Sequence, residues 1–275
     1  MTNLSSTFEQ LHSDLDVSLV ACRARPTSHA IHSLRTSMRR IEALLRKVLD
    51  EHPRALRLRS KIQKVLDELK EVRRAAGRVR DLDVQRMLIV EIATKLRDVG
   101  SIKQLEDLGD ECTGLDHVLR RRRKREAAGL VRLLKDAEPT LERALDRIPD
   151  AMKAVDGTST LKTARTLVLR SSLALSDTSV ESLHSYRKQI KAARYLAEMQ
   201  GSSRVARRLV NHLKRILDDI GRWHDLLLLD QEAKELLGKR ASLTRAIHTE
   251  RDSALRLAIA AAGSKHPPKD NHRSR

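Results

Sequence analysis

Apolar positions recur every three to four residues along nearly the whole chain, and no stretch alternates apolar with polar as a half-buried strand would. Leu, Ala, Arg, Lys and Glu fill these segments, and all five are good helix formers, so the pattern predicts an all-α protein. Breakers divide it. Arg25-Pro26-Thr27-Ser28 separates a helix over about 5–22 from a second over about 29–50. His52-Pro53 opens a third, which Gly77 is expected to end, and RDLDVQRMLIVEIATKL makes a fourth. Gly100 and Gly114 are expected to bound loops ahead of a long basic helix near 116–136. Pro139, Pro149 and DGTST (156–160) mark the changeover to the second half. Helices near 161–175, 180–200, 203–220, 223–237 and 240–262 follow, broken at Gly201 and Gly221. The last residues, GSKHPPKDNHRSR (263–275), form a basic tail too polar and proline-rich to pack, expected to be disordered.

The second half repeats the plan of the first. At an offset of 152 residues, His32, Ser33, Arg35, Arg39 and Leu44 align with His184, Ser185, Arg187, Lys191 and Leu196. At an offset of 144, Gly77, Arg78, Asp81 and Leu82 align with Gly221, Arg222, Asp225 and Leu226. Upstream of these, Lys64, Leu69, Lys70 and Val72 meet Arg208, Leu213, Lys214 and Ile216. The change of offset reads as a length difference in a connecting loop, and the order of motifs is kept. An internal duplication follows, with two pseudo-symmetric helical bundles over 5–138 and 139–262, forming one domain over 1–262.

The repeated helix has two stripes. At 100° per residue, His32, Arg35, Arg39 and Arg46 share an arc of about 60°. Leu34, Met38, Ile41, Leu45, Val48 and Leu49 form the neighbouring apolar stripe. In the second copy His184, Arg187, Lys191 and Arg194 lie beside Tyr186, Ile190, Ala193 and Ala197. The cations therefore flank the core face, where packing can hold them along a groove between helices.

Charge then enlarges the picture. The chain carries 55 Lys and Arg against 37 Asp and Glu, a formal net charge of +18, which attracts polyanions. Its aromatic residues are Phe8, Tyr186, Tyr195 and Trp223. Single-stranded nucleic acid is commonly gripped by stacking on such faces, so their scarcity favours an anion without bases. A solvated surface is the competing reading for Lys61 and Lys64, which interleave with Asp67, Glu68 and Glu71, and for Arg204, Arg208 and Arg215. The run RRRRKRE (120–126), with Arg121 and Arg125, is a denser but less specific ligand candidate. Cys22 and Cys112 have no CxxC spacing and read as reduced, buried small residues. No stretch approaches a membrane span and the N-terminus lacks a signal-peptide pattern, so a soluble, cytoplasmic protein is expected.

Neither histidine copy has a second His at i+4 or a carboxylate at ligand spacing, so no metal is expected. Surrounding cations disfavour the imidazolium, and a neutral imidazole that packs or donates to phosphate is the better reading. In GRVRDLDV (77–84) and GRWHDLLL (221–228), Gly is expected to end one helix and Asp81 or Asp225 to cap the next. His224-Asp225 resembles the dipeptide of metal phosphohydrolases, but Arg80-Asp81 stands at the matching position and the acids are spread among helix faces.

These residues together resemble the CHAD domain, the conserved-histidine α-helical domain. The carriers are HSLRTSMRRIEALLRKVL (32–49), GRVRDLDV, LHSYRKQIKAARYLAEM (183–199) and LDDIGRWHDLLLL (217–229), and the likeness spans about 5–262. The resemblance implies paired four-helix units around a basic central groove or pore that binds inorganic polyphosphate, and members that localise to polyphosphate granules. It marks His32, Arg35, Arg39 and Arg40 in the first copy, and His184, Arg187, Lys188, Lys191 and Arg194 in the second. Ala192 stands where Arg40 would repeat and Glu42 stands opposite Arg194, so the two halves are not equivalent. The expectation is a non-catalytic polyphosphate-binding protein without a cofactor, its oligomeric state open. A nucleic-acid-binding protein that contacts the phosphate backbone is the alternative, and weak nonspecific nucleic-acid binding is expected beside polyphosphate; a metal-dependent phosphohydrolase is a more distant reading.

Overall fold

The computed structural model describes residues 4–97, 102–149, 159–175, 177–200 and 203–263. Eight long α-helices and no strand run through them: α1 (Leu4–Ala24), α2 (Ser28–Glu51), α3 (Leu56–Arg97), α4 (Ile102–Leu145), α5 (Thr160–Ala174), α6 (Val180–Glu198), α7 (Arg204–Leu236) and α8 (Ser242–Gly263). The all-α expectation holds. Gly100, Gly201, the Asp156–Gly157 part of the changeover and the tail from residue 264 lie outside the described residues.

Several expected breaks are absent. Gly77 and Gly114 sit inside α3 and α4, Gly221 sits inside α7, and α4 runs on through Pro139 to Leu145. A single interior glycine costs a helix about 1 kcal/mol. Packing outweighs that. Val72, Ala76 and Val79 around Gly77, and Ile220, Trp223 and Leu226 around Gly221, are all buried. Burying a large aliphatic or aromatic side chain gains roughly 1.5–3 kcal/mol. Asp81 and Asp225 therefore lie within helices and cap neither. Among the described residues the glycine in the left-handed conformation is Gly238, with φ of 84°, directly after the Leu237 cap of α7.

The apolar stripes are buried as expected. Leu34, Met38, Ile41, Leu45 and Val48 of α2 are fully inaccessible, and Tyr186, Ile190, Ala193 and Ala197 of α6 are buried. Two cores result, and they do not divide at residue 138. The first joins α1 and α2 with the N-terminal part of α3 and the C-terminal part of α4. The second takes α5 to α8 together with Leu88, Ile89 and Ile92 of α3 and Leu108, Leu115 and Leu119 of α4. The α3–α4 hairpin, each arm about 60 Å long at 1.5 Å per residue, thus crosses from one core into the other. Glu111 of α4 fastens the far end by accepting from the backbone N–H groups of Ser242 and Leu243, at 3.1 and 2.7 Å, at the start of α8.

Candidate functional site: a cationic cavity between four helices

Two capping residues set the phase of the repeated helices. Thr27 Oγ1 accepts from Ala30 N at 3.1 Å to open α2, and Ser179 Oγ accepts from Ser182 N at 3.2 Å to open α6. His32 and His184 each fall five positions after their cap, and Arg35 and Arg187 eight. The cap belongs to the repeat, with Thr27 and Ser179 at the same offset of 152.

α2 packs on α6, and α3 on α7. These four helices line a cavity of about 730 Å³. α2 contributes His32, Arg35 and Arg39; α6 contributes His184, Arg187, Lys188, Lys191 and Arg194. Eight of the expected site residues therefore come together. α3 and α7 add Arg73, Arg74, Arg78, Arg80, Arg222 and His224, which sequence reasoning did not assign to the ligand. GRVRD and GRWHD, read above as helix ends, signalled Arg78, Arg80, Arg222 and His224; Arg73 and Arg74 lie one turn upstream. Eleven Lys and Arg side chains line the cavity against the three carboxylates of Asp81, Asp218 and Asp225.

The cations fall into two groups. On α3 and α7 they are neutralised: Arg73 Nε donates to Glu42 at 2.6 Å, Arg78 Nε to Glu126 at 2.7 Å, and Arg74 Nη1 to Glu71 at 3.1 Å. Arg222 grips Glu91 at 2.7 and 3.0 Å, and Arg80 forks onto Asp225 at 2.7 and 2.9 Å. On α6, Arg194 Nε lies 3.2 Å from Glu198. Arg35, Arg39, Arg187, Lys188 and Lys191 have no carboxylate partner among the described residues. All five lie on the two repeated helices. Arg187 Nε is buried and meets no acceptor.

Arg35 owes its position to Gly77. Its guanidinium lies over the glycine, where an added Cβ would come within 2.8 Å of Nη1, and Nη1 donates to the Arg73 carbonyl at 3.3 Å. Arg187 stands over Gly221 more loosely, with 3.9 Å from the same hypothetical Cβ to Nη2.

Crowding like charges away from water weakens their hold on protons. Burial, then the neighbouring Arg39, brings Arg35 down to about 10. Burial and the adjoining Arg187, Arg39, Arg80 and Arg35 bring Lys191 down to about 6. Burial and Arg187 push His224 to about 4. Burial also lowers His32 and His184, helped by Arg80 at the first and Lys188 at the second. His184 and His224 stack at a tilt, with ring centroids 5.3 Å apart. The imidazoles are neutral at pH 7, and each ring then has one N–H that can donate.

The remaining expected residues line no part of this cavity. Arg40 is tied to Glu198 at 3.2 Å, and Arg46 lines a separate cavity of about 350 Å³ with Lys47, Asp50 and Glu51. Lys61 and Lys64 line a cleft of about 130 Å³ with Arg143 and Arg147. Arg121 and Arg125 are exposed on α4, and Arg204, Arg208 and Arg215 are exposed on α7. A further cleft of about 600 Å³ mixes Asp50 and Glu181 with Arg170, a poor seat for a polyanion. Cys22 is buried, which pushes its thiol up to about 11, while Cys112 is half-buried. No three of His, Cys, Asp and Glu gather at metal-binding distance among the described residues. No helix there is long and apolar enough to cross a membrane.

Solved structures carry the same fold at low identity. The CHAD domain from the plant Ricinus communis is 17% identical, with a TM-score of 0.66 over 98% of this chain and 94% of its own. PptA from Streptomyces chartreusis is 15% identical, with a TM-score of 0.66 over 95% of this chain and 96% of its own. No curated protein matches the sequence. The CHAD domain family model matches residues 9–234. That match covers most of the chain, and with the twin histidine helices and the all-α architecture it leaves one assignment: the chain belongs to the CHAD domain family.

Proposed function

We propose that this chain binds inorganic polyphosphate in the cavity between α2, α3, α6 and α7, as a receptor and not as an enzyme. The observation that carries the reading is the set of five basic side chains without a carboxylate partner, Arg35, Arg39, Arg187, Lys188 and Lys191, gathered on facing helices. Holding such charges together without counter-charge is unfavourable, and a polyanion relieves it. Polyphosphate has about one negative charge per phosphate and neither bases nor sugars to recognise. Arginine forks match its paired oxygens. Neutral His32, His184 and His224 can donate to oxygens between the charges. A slim phosphate chain fits a cavity that a nucleic-acid duplex cannot enter, which gives selectivity without base contacts. A receptor of this kind would attach its chain to polyphosphate granules.

The test is titration of labelled long-chain polyphosphate at about 150 mM salt, competed with single- and double-stranded DNA of equal charge, for wild type and for Arg35→Glu/Arg187→Glu. The expected result is binding that DNA barely displaces and that the folded double variant loses. Equal competition by DNA, or indifference to the substitutions, overturns the reading. Incubation with Mg²⁺ or Mn²⁺ should leave the polyphosphate chain length unchanged; shortening would make the protein an enzyme.

A further inference from the structure

Lys191 stands half-buried in the cavity among the five basic residues without a carboxylate partner. α2 presents Arg35 and Arg39 to it, and α3 presents Arg80 with Asp81. Its own helix supplies Arg187, Lys188 and Arg194, with His184 a turn further off and Tyr195 beside them. From α7 come His224, Asp225, Asp218 and Arg222. The acids do little for it. Asp225 is held by both Nη atoms of Arg80, and Asp81 also receives Arg80, at 3.2 Å. Arg80 stays charged, and together with the cations of α2 and α6 it outweighs the acids at Lys191.

We infer that the cavity takes up its polyanion together with a proton, and that this proton is seated on Lys191 Nζ. The inference rests on the polyanion reading of the cavity and adds how the site is regulated. An empty cavity holds Lys191 as a neutral amine at neutral pH, because burial and four arginines bring it to about 6. An incoming phosphate chain supplies the missing counter-charge and restores the ammonium. One N–H bond forms, and the proton comes from solvent or buffer. Arginine cannot act this way within the physiological range. Internal phosphates of a long chain carry no proton near neutrality, so the proton taken up ends on the protein. The site thereby favours the most densely charged, fully ionised ligand, since a weak anion cannot draw the proton in.

Linkage fixes the sign. Between the two titration positions of Lys191, free and bound, the complex holds one more proton than its components. Affinity then falls with rising pH by up to about tenfold per pH unit, and is flat well below pH 6. The histidines of the cavity titrate below their ordinary value in the empty site. Working at about pH 8 sets them aside, because an imidazole near an ordinary 6.5 is almost unprotonated there.

The experiment is calorimetric titration of the full chain with long-chain polyphosphate at about pH 8 in buffers of different ionisation enthalpy, for wild type, Lys191→Met and Lys191→Arg. Uptake of nearly one proton per bound segment by wild type, absent in both variants, is the expected result. Binding without proton uptake overturns the inference and leaves the receptor reading standing. Uptake that persists in both variants shows that another group accepts the proton, and overturns it equally. Absence of binding overturns the receptor reading, and the inference with it. Lys191→Arg keeps a charge at the position, so retained affinity with lost pH dependence separates proton uptake from a structural role.

Discussion

Arg80 of α3 sets its Nη1 and Nη2 on the two carboxylate oxygens of Asp225 in α7, at 2.7 and 2.9 Å, across the cavity floor. The two residues belong to the two copies of one motif: Arg80 is matched by His224, where the copies differ, and Asp225 by Asp81, where they agree. The bridge joins the two long central helices, and Asp225 is only 10% exposed in its side chain. It also cancels one arginine that would otherwise add to the cluster above it.

Asp225→Asn therefore has opposite effects on folding and on binding. Removing the closer partner leaves Arg80 with Asp81 alone, at 3.2 Å, a loss of about 1–2 kcal/mol after allowing for the partial exposure of Arg80. The same change adds one uncancelled positive charge to the cavity. Denaturant unfolding should show lower stability, while polyphosphate titration should show tighter binding. A variant that binds more weakly while remaining folded would mean that Asp225 orients the ligand's arginines and does not restrain them.

Gly77 and Gly221 occupy matching positions and should respond differently to alanine. Alanine gains about 1 kcal/mol over glycine in a helix interior. At Gly221 nothing opposes this, since the new methyl would meet Arg187 at an ordinary 3.9 Å. Gly221→Ala should be more stable and bind unchanged. At Gly77 the methyl must displace the Arg35 guanidinium, which is a flexible end and can yield, so stability changes little. The cost falls on the ligand. Polyphosphate affinity should drop several-fold for Gly77→Ala alone, and equal affinities of the two variants would remove Gly77 as the seat of Arg35.

Much of this was legible in the sequence, because a helix writes its buried face at a period of 3.6 residues. Leu34, Met38, Ile41, Leu45 and Val48 declared both the helix and the side on which Arg35 and Arg39 had to stand. What misled was punctuation. Gly77, Gly114, Gly221 and Pro139 carry local signals for a break, and at Gly77 and Gly221 burial on both sides overrules them, which only the three-dimensional packing shows. Reading Gly77 and Gly221 as ends hid the close approach of Arg35 at Gly77, and with it the contribution of Arg80 and Arg222. Arg40 stood on a promising register, but its partner Glu198 lies 158 residues away, beyond any local pattern.

The ligand-free protein should gain stability toward alkaline pH. Lys191 is depressed to about 6 in the fold and returns to its ordinary range when unfolded. Between those values the unfolded chain binds the extra proton, so stability rises with pH, by up to about 1.4 kcal/mol per unit. His224, at about 4 in the fold, has the same sign at lower pH: its contribution is complete above about 6.5 and is lost as pH falls toward 4. Melting followed from acid to alkaline pH should rise in wild type. Lys191→Met should flatten the alkaline part and His224→Asn the acid part. A wild-type curve falling between pH 7 and 9 would contradict the burial of Lys191.

Salt titration reports how many cations meet the phosphate chain. Binding driven by counterion release weakens in proportion to the charges engaged, with a slope near −0.9 per contact on a duplex and about −0.7 on a single strand. Five unneutralised cations on α2 and α6 then give a logarithmic slope of roughly −3.5 to −4.5. Arg35→Gln and Arg187→Gln should each reduce it by nearly one contact. Arg121→Gln and Arg125→Gln, exposed on α4 and outside the cavity lining, should leave it almost unchanged. The comparison separates the cavity from the overall field of a +18 protein, since long-range attraction loses its charges without regard to position. If removing Arg121 and Arg125 lowers the slope as much as removing Arg35 and Arg187, the polyanion is held by the surface as a whole and the facing helices serve the fold.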